Sequence, residues 1–333
     1  MKIEVIGTET LGVRGLSSVV EAGGSRILID PGVALGFTRY SLHPHPLQAV
    51  VGDEVKYRIV KEWGRAQDIV ISHLHGDHTP LPNPNPFQLG IDDVTGVNPS
   101  ARIWVKGERF TGGVERFRLK ELERRFGDQV AEARPGGGDG ILEFIGPFPH
   151  TGASRTLVLG TIIRGDKTVV HLSDADLSRR EVVETVKRVD PDVVIADGPS
   201  LYRSATSGLS DRIMTSASQL AGSCETLIVD HHLMRCDRGI TWLKALQEAR
   251  GGSCRILCAA EFMMRPLMML EAWRRTLYRL IPVSNDWFKS DLLLRELKTD
   301  CREIWPEIRS SLYKARPRNE RDFEDLLSIS LEN

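Results

Sequence analysis

The sequence predicts an α/β fold, a layered domain of strands and helices followed by a largely helical C-terminal part. Short apolar runs bounded by turn residues are typical of strands and occur at residues 2–6, 17–22, 26–29, 68–72, 102–105, 141–145, 156–163, 167–172, 193–196 and 226–229. Helical patterns at residues 114–126, 178–189 and 210–222 lie between them. Beyond about residue 237 the pattern is mostly helical, with one strand at 255–259. We therefore assign residues 1–240 to a layered α/β domain and residues 241–333 to a helical part packed on it.

Turn residues fix the order of these elements. Gly23-Gly24 joins the strands at 17–22 and 26–29, and Arg164-Gly165-Asp166 joins those at 156–163 and 167–172, so we expect two hairpins. Residues 79–86 hold four prolines, and residues 135–140 are mostly glycine. Because proline lacks a backbone donor and glycine lacks conformational restraint, both stretches are predicted to be irregular.

Composition excludes several functional classes. The chain has 333 residues, 41% hydrophobic and 27% charged, as in folded globular proteins. Its 44 Lys+Arg and 45 Asp+Glu leave a net charge of −1, so no overall positive field attracts nucleic acid. The apolar stretch 262–281 contains four arginines and is too charged to span a membrane. Residues 1–6 read as a strand rather than a signal peptide, and the cysteine count of five is odd, so we expect reduced thiols in a cytoplasmic protein.

The segment Ile71-Ser-His-Leu-His-Gly-Asp-His78 carries the clearest chemical signal. His73 and His75 leave the end of a buried strand and can converge on one metal ion, which we call the first site. Asp77 and His78 follow the turn at Gly76 and can serve a second site beside it. Imidazole and carboxylate donors without thiolate suit Zn²⁺, with Mn²⁺ or Fe as alternatives.

The motif His-x-His-x-Asp-His directly after a buried strand resembles the signature of the metallo-β-lactamase superfamily, hydrolases with a four-layer αββα sandwich. The resemblance covers about residues 1–240 in order. Residues 28–36 (Leu-Ile-Asp-Pro-Gly-Val-Ala-Leu-Gly), Arg39-Tyr40, Pro44-His45-Pro46 and Asp230-His-His-Leu233 further resemble an archaeal group of predicted metal-dependent hydrolases. This closer resemblance implies the fold and two divalent metal ions but no particular substrate.

Four residues match further positions of the superfamily pattern. The resemblance implies that Asp30 supports the metal loop without binding a metal. It implies that His150 completes the first site, that Asp174 bridges both sites, and that His231 completes the second. Asp176 lies two residues from the predicted bridge and is its competitor.

The choice between His231 and the adjacent His232 as last ligand rests on Arg235, because a His followed four residues later by Arg resembles the phosphodiesterase branch. We expect His232 and Arg235 to contact substrate, together with His45 in a proline-rich loop over the site. Alternatively, this segment is a surface loop that its prolines make rigid and that does not contact substrate.

The resemblance implies hydrolysis by metal-activated water, with Asp77 and Asp174 as catalytic carboxylates. The leading expectation is a phosphoesterase acting on RNA or on a small nucleotide. The alternatives are an acyl hydrolase of the lactonase or thioesterase type and a non-catalytic metal-binding scaffold. We expect no membrane partner. A homo-oligomer is compatible with the helical C-terminal part.

Overall fold

A computed structural model of the chain describes residues 1–151, 153–203 and 207–332; Gly152, beside the predicted ligand His150, lies outside them. Two β-sheets organise this part of the chain. The first has the strand order β1-β2-β3-β4-β5-β6, and the second has the order β13-β12-β11-β10-β9-β8-β7. The strands are β1 (Lys2–Gly7), β2 (Ser17–Ala22), β3 (Ser25–Ile29), β4 (Asp68–Ile71), β5 (Arg102–Lys106), β6 (Val130–Ala133), β7 (Gly138–Asp139), β8 (Leu142–His150), β9 (Ala153–Arg164), β10 (Thr168–Ser173), β11 (Val193–Asp197), β12 (Thr226–Asp230) and β13 (Arg255–Leu257).

Helices cover both sheets. The helices are α1 (Pro46–Trp63), α2 (Gly113–Phe126), α3 (Arg180–Val189), α4 (Ser207–Ala221), α5 (Arg238–Arg250), α6 (Ala259–Phe262), α7 (Arg274–Leu280), α8 (Asp291–Ala315) and α9 (Glu320–Glu332). Helices α1 and α2 contact the first sheet, while α3, α4 and α5 contact the second. The sheets share one apolar core, in which β2 contacts β9. The predicted α/β sandwich and the helical C-terminal region are confirmed.

Parallel pairing brings the carboxyl ends of several strands to the same edge of each sheet. Strands β3, β4, β5 and β6 run parallel within the first sheet, and β10, β11, β12 and β13 run parallel within the second. The inner strands of these sets, such as β4 and β12, are rich in buried Val, Ile and Leu because both faces of the sheet are covered there. Both predicted hairpins are present, as β2–β3 and β9–β10. The boundary between the two predicted domains at residue 240 stays a prediction. Strand β13 lies beyond residue 240 and pairs with β12, so the second sheet extends past this boundary.

Helix α1 was not predicted. The prolines at positions 44 and 46 suggest a loop, yet Pro46 occupies the first helical position, where its missing N–H costs nothing. Helix α1 packs against α8, the long helix of the C-terminal region. No helix in the described ranges is both long and apolar enough to cross a membrane.

Candidate metal centre

Predicted metal ligands follow the ends of strands in both sheets. His73 comes after β4, Asp174 after β10 and His231 after β12, and His150 is the last residue of β8. Strand β8 is antiparallel to β9, and β9 is antiparallel to β10, so β8 and β10 end at the same edge. Because carboxyl ends of parallel strands meet at one edge of a sheet, side chains distant in sequence converge there.

The first cluster consists of His73, His75, His150 and Asp174, whose donor atoms lie within 4.8 Å of one another. His150 Nε2 lies 3.2 Å from His75 Nδ1. Asp174 Oδ2 lies 3.1 Å from His150 Nε2 and 3.7 Å from His73 Nε2. The structure therefore brings together the residues predicted for the first site.

The second cluster consists of Asp77, His78 and His231. His78 Nε2 lies 3.4 Å from His231 Nε2. Asp77 carboxylate oxygens lie 4.0 Å from His78 Nε2 and 3.9 Å from His231 Nε2. The side chain of Asp77 is 18% exposed, whereas the two imidazoles are fully buried, so this carboxylate faces the opening of the site.

Asp174 links the two clusters. Its Oδ2 lies 3.3 Å from His78 Nε2 and 3.2 Å from His231 Nε2, in addition to its contacts with the first cluster. Its competitor Asp176 instead accepts hydrogen bonds from the Ser178 amide and from Arg179, which fixes the turn before α3. Asp174 is thus the carboxylate placed between both predicted metal positions.

Hydrogen bonds at Nδ1 orient several of the imidazoles. His78 Nδ1 lies 2.9 Å from Asp30 Oδ2, His150 Nδ1 lies 2.7 Å from the Thr151 carbonyl oxygen, and His231 Nδ1 lies 2.8 Å from a Glu9 oxygen. A proton held at Nδ1 leaves the Nε2 lone pair free, and carboxylate partners of this kind are typical of metal-binding histidines. Asp30 also accepts from the Ser72 amide and hydroxyl and from the Ser173 hydroxyl. Asp30 therefore holds the loop that follows β4, without belonging to either cluster.

Two buried polar atoms test whether a metal fits here. His73 Nε2 and Asp174 Oδ1 are buried and have no hydrogen-bond partner among the described residues. Imidazole nitrogens also face each other, at 3.2 Å in the first cluster and at 3.4 Å in the second. Unpaired buried acceptors are destabilising, and a cation would satisfy them. The donor set therefore fits divalent metal ions.

The surroundings adjust the pKa values of these groups. Burial favours a raised pKa for Asp174, but His231 and His78 outweigh it and hold this pKa well below its ordinary range. Burial lowers the pKa of His73 strongly and that of His75 to about 4, so both are neutral. Burial also disfavours charge on His78, yet Asp174 and Asp30 raise its pKa to about 10. A metal cation and a proton compete for that imidazole.

Backbone strain also marks the centre. Asp30, Ser173 and His231 have φ values of 49°, 50° and 57°, in the left-handed region that non-glycine residues rarely adopt. Each comes at or directly after the end of a strand that carries the site. Strain of this kind persists where the surrounding contacts over-determine the backbone, and it is typical of functional sites.

Arg235 and His232 lie beside the clusters. Arg235 Nη2 is 3.4 Å from both Asp77 Oδ2 and His231 Nε2. His232 Nδ1 is 2.6 Å from Asp197 Oδ2, and its ring lies 4.2 Å from that of His231. His231 Nε2 lies among the second-cluster donors, whereas His232 groups with His231 and Asp174 but not with Asp77 or His78, which favours His231 over His232 as the last ligand.

The substrate-binding role predicted for His45 is wrong. Its side chain is fully buried. It accepts a hydrogen bond from the Leu47 amide, and its other ring nitrogen donates to the Ile281 carbonyl at 2.9 Å. Both ring nitrogens are therefore used in capping α1 and in joining it to the C-terminal region.

Sequence reasoning missed Glu9 and Asp197. Glu9 contacts both His231 and Arg235, and Asp197 contacts His232. Asp197 ends β11, so its place at a strand end was a usable signal. Glu9 lies in the irregular segment after β1, where no motif identifies it.

Residues 11–80 match a family model described as the metallo-beta-lactamase superfamily. The two-sheet fold and the His/Asp centre agree with this match, and proteins of that superfamily are generally hydrolases that typically bind divalent metals. A UPF0282 protein of Methanosarcina mazei is 36% identical over 297 residues, which cover 87% of this chain and 96% of that protein. A UPF0282 protein of Korarchaeum cryptofilum is 32% identical, covering 86% and 97%. The chain belongs to the UPF0282 family.

One solved structure is also similar. It is described as the crystal structure of isothiocyanate hydrolase from Delia radicum gut bacteria. The match has a TM-score of 0.47 and 12% sequence identity, and it covers 74% of this chain and 94% of the other.

Proposed function

We propose that this chain is a dinuclear metal-dependent hydrolase that cleaves a phosphoester, with RNA or nucleotide phosphodiesters as the candidate substrates. The observation that carries the proposal is the position of Asp174. Its Oδ2 lies within 3.1–3.3 Å of imidazole nitrogens from both clusters, namely those of His150, His231 and His78. One carboxylate shared between two sets of imidazole donors suits a pair of adjacent cations.

The first metal would be held by the three imidazoles of the first cluster, and the second by Asp77 and the two imidazoles of the second cluster, with Asp174 shared. Nitrogen and oxygen donors without thiolate favour zinc, with manganese or iron as alternatives. Bound metals of this kind supply a nucleophile by lowering the pKa of water, and they neutralise charge on the reacting oxygens.

Arg235 favours a phosphoester over a carbonyl substrate. Its Nη2 lies 3.4 Å from the predicted ligands Asp77 and His231, while its Nε donates to Glu9 at 2.7 Å and its Nη1 to the Tyr202 hydroxyl at 3.3 Å. These contacts fix the guanidinium plane. A fixed guanidinium offers paired donors that match the oxygens of a phosphoryl group. We assign Arg235 to orienting that group, and His232 to a further substrate contact.

A substrate panel tests this proposal. The metal-loaded chain is assayed with bis(4-nitrophenyl) phosphate and single-stranded RNA, beside a lactone and a thioester. We expect phosphodiester turnover that is lost in His75→Ala. Turnover of acyl substrates alone would identify a lactonase or thioesterase instead. Full metal content without turnover of any substrate would favour the non-catalytic scaffold.

A further inference from the structure

A cavity of about 610 Å³ lies between α5, the segment after α6 and the turn from α8 to α9. Apolar side chains, including Ile240, Leu243 and Leu267, line part of it. Basic side chains line the rest, with Glu261 as the acidic lining residue. We call this site the basic cavity, and its basic residues are Lys244, Arg265, Lys314, Arg316 and Arg318. None of the predicted metal ligands lines it.

Most of these cations lack acidic partners. Arg265 lies 3.7 Å from Glu4. The other four basic residues of the cavity form no ion pair with any residue that the structure describes. They are Lys244, Lys314, Arg316 and Arg318. By contrast, two basic residues earlier on α8 are paired, since Lys298 and Arg302 bind Asp53. Like charges gathered without counter-charges repel one another, so an anion bound among them would be stabilising.

The end of α8 and the turn after it, which together carry three of the cations, are held in place. Arg316 has a φ of 50°, and its amide donates to the Leu312 carbonyl at 2.9 Å, which ends α8. Pro317 is buried, and the Arg318 amide donates to the Asp322 carboxylate at 2.9 Å. A fixed backbone presents the side chains of this turn together and lowers the entropy lost when a ligand binds.

We infer that the basic cavity binds a small organic phosphate, of which a nucleoside monophosphate is the representative. The volume falls within the range of small-molecule sites, roughly 300–1,000 Å³. Its cations suit the phosphate, and its apolar lining suits an aromatic or aliphatic body. The site is separate from the metal centre, so binding does not require the proposed hydrolytic activity.

Calorimetric titration with AMP tests this inference. The titration compares the wild-type chain with His75→Ala, because that substitution weakens binding of a phosphate at the metal centre. We expect saturable AMP binding in both proteins and much weaker binding of adenosine, which lacks the phosphate. Lys314→Gln combined with Arg316→Gln should weaken AMP binding about tenfold, as expected for lost charge contacts. Both residues are exposed, so the fold should be retained, as checked by thermal melting.

The control combines Lys187→Gln with Arg188→Gln on α3, which removes two exposed charges from a helix that does not line the cavity. It should leave AMP affinity unchanged. Equal affinity in the cavity and control variants would overturn the inference, and so would the absence of saturable AMP binding to His75→Ala. The inference would also be overturned if the chain bound RNA oligomers but did not bind AMP. The cations would then form a surface contact for RNA rather than a small-molecule site.

Discussion

Glu9 binds two side chains of the candidate metal centre at once: its Oε2 lies 2.8 Å from His231 Nδ1, and its Oε1 accepts a hydrogen bond from Arg235 Nε at 2.7 Å. Glu9 is nearly fully buried and precedes these residues by more than 220 positions. One carboxylate from the start of the chain therefore orients both a predicted metal ligand and the predicted phosphate-binding arginine.

Glu9→Gln should weaken metal binding at the second site. The substitution keeps the size of the side chain but removes the charge that aligns His231, and loss of such a partner typically costs about 10–100-fold in metal affinity. Competition with a chromophoric chelator measures this affinity. Glu123→Gln, on the exposed face of α2, is the control and should bind as wild type. Equal affinities of all three proteins would show that Glu9 has no such role.

Arg235→Lys should separate substrate binding from metal binding. Lysine retains the positive charge but cannot offer the paired donors of a guanidinium. We expect kcat/KM for bis(4-nitrophenyl) phosphate to fall about 100-fold, in line with the loss of one fixed transition-state donor. Metal content should stay at the wild-type level. Arg238→Lys, an exposed neighbour, serves as control. An unchanged phosphodiester rate in Arg235→Lys would remove the main support for a phosphoester substrate.

His45 should affect stability and not catalysis. His45→Ala removes the acceptor of the Leu47 amide at the start of α1, which should lower the free energy of unfolding by about 1–2 kcal/mol. His45→Asn keeps an acceptor at the cap and should lose less. Denaturant unfolding measures both, and kcat/KM of the folded proteins should not change. A selective loss of activity in His45→Asn would restore the substrate-binding role.

The ion pair of Glu271 with Arg14 should make stability depend on acid pH. Their atoms meet at 2.5 and 2.6 Å. Burial favours a raised pKa for Glu271, but Arg14 outweighs burial and lowers it from 4.5 to about 2. A lowered folded-state pKa stabilises the protein above the unfolded value, and this contribution is lost as pH falls from 4.5 towards 2.

The comparison is between wild type and Glu271→Gln. The difference in their free energies of unfolding should reach about 3 kcal/mol at most near neutral pH, the equivalent of that pKa shift. It should shrink steadily below pH 4.5. Urea unfolding at a series of pH values measures it. A difference that stays constant through this range would contradict the ion-pair account.

The sequence predicted the residues that form the two clusters better than most of the side chains that orient them. His73 and His75 lie in a local motif, and the resemblance placed Asp174 and His231 at strand ends, which the parallel sheets bring to one edge. Glu9 could not be found this way, because its contacts arise from tertiary folding between residues 222 positions apart. The capping role of His45 was missed for a similar reason, since its ring also contacts the distant Ile281 carbonyl.

The most direct test of the whole account is the metal content of the chain, measured by plasma mass spectrometry after purification without added metal. The shared position of Asp174 predicts about two divalent ions per chain, and about one or fewer in Asp174→Ala. The exposed Asp211→Ala should match wild type. A wild-type content far below one ion per chain, not restored by Zn²⁺ or Mn²⁺, would contradict the proposed metal centre and the hydrolytic function built on it.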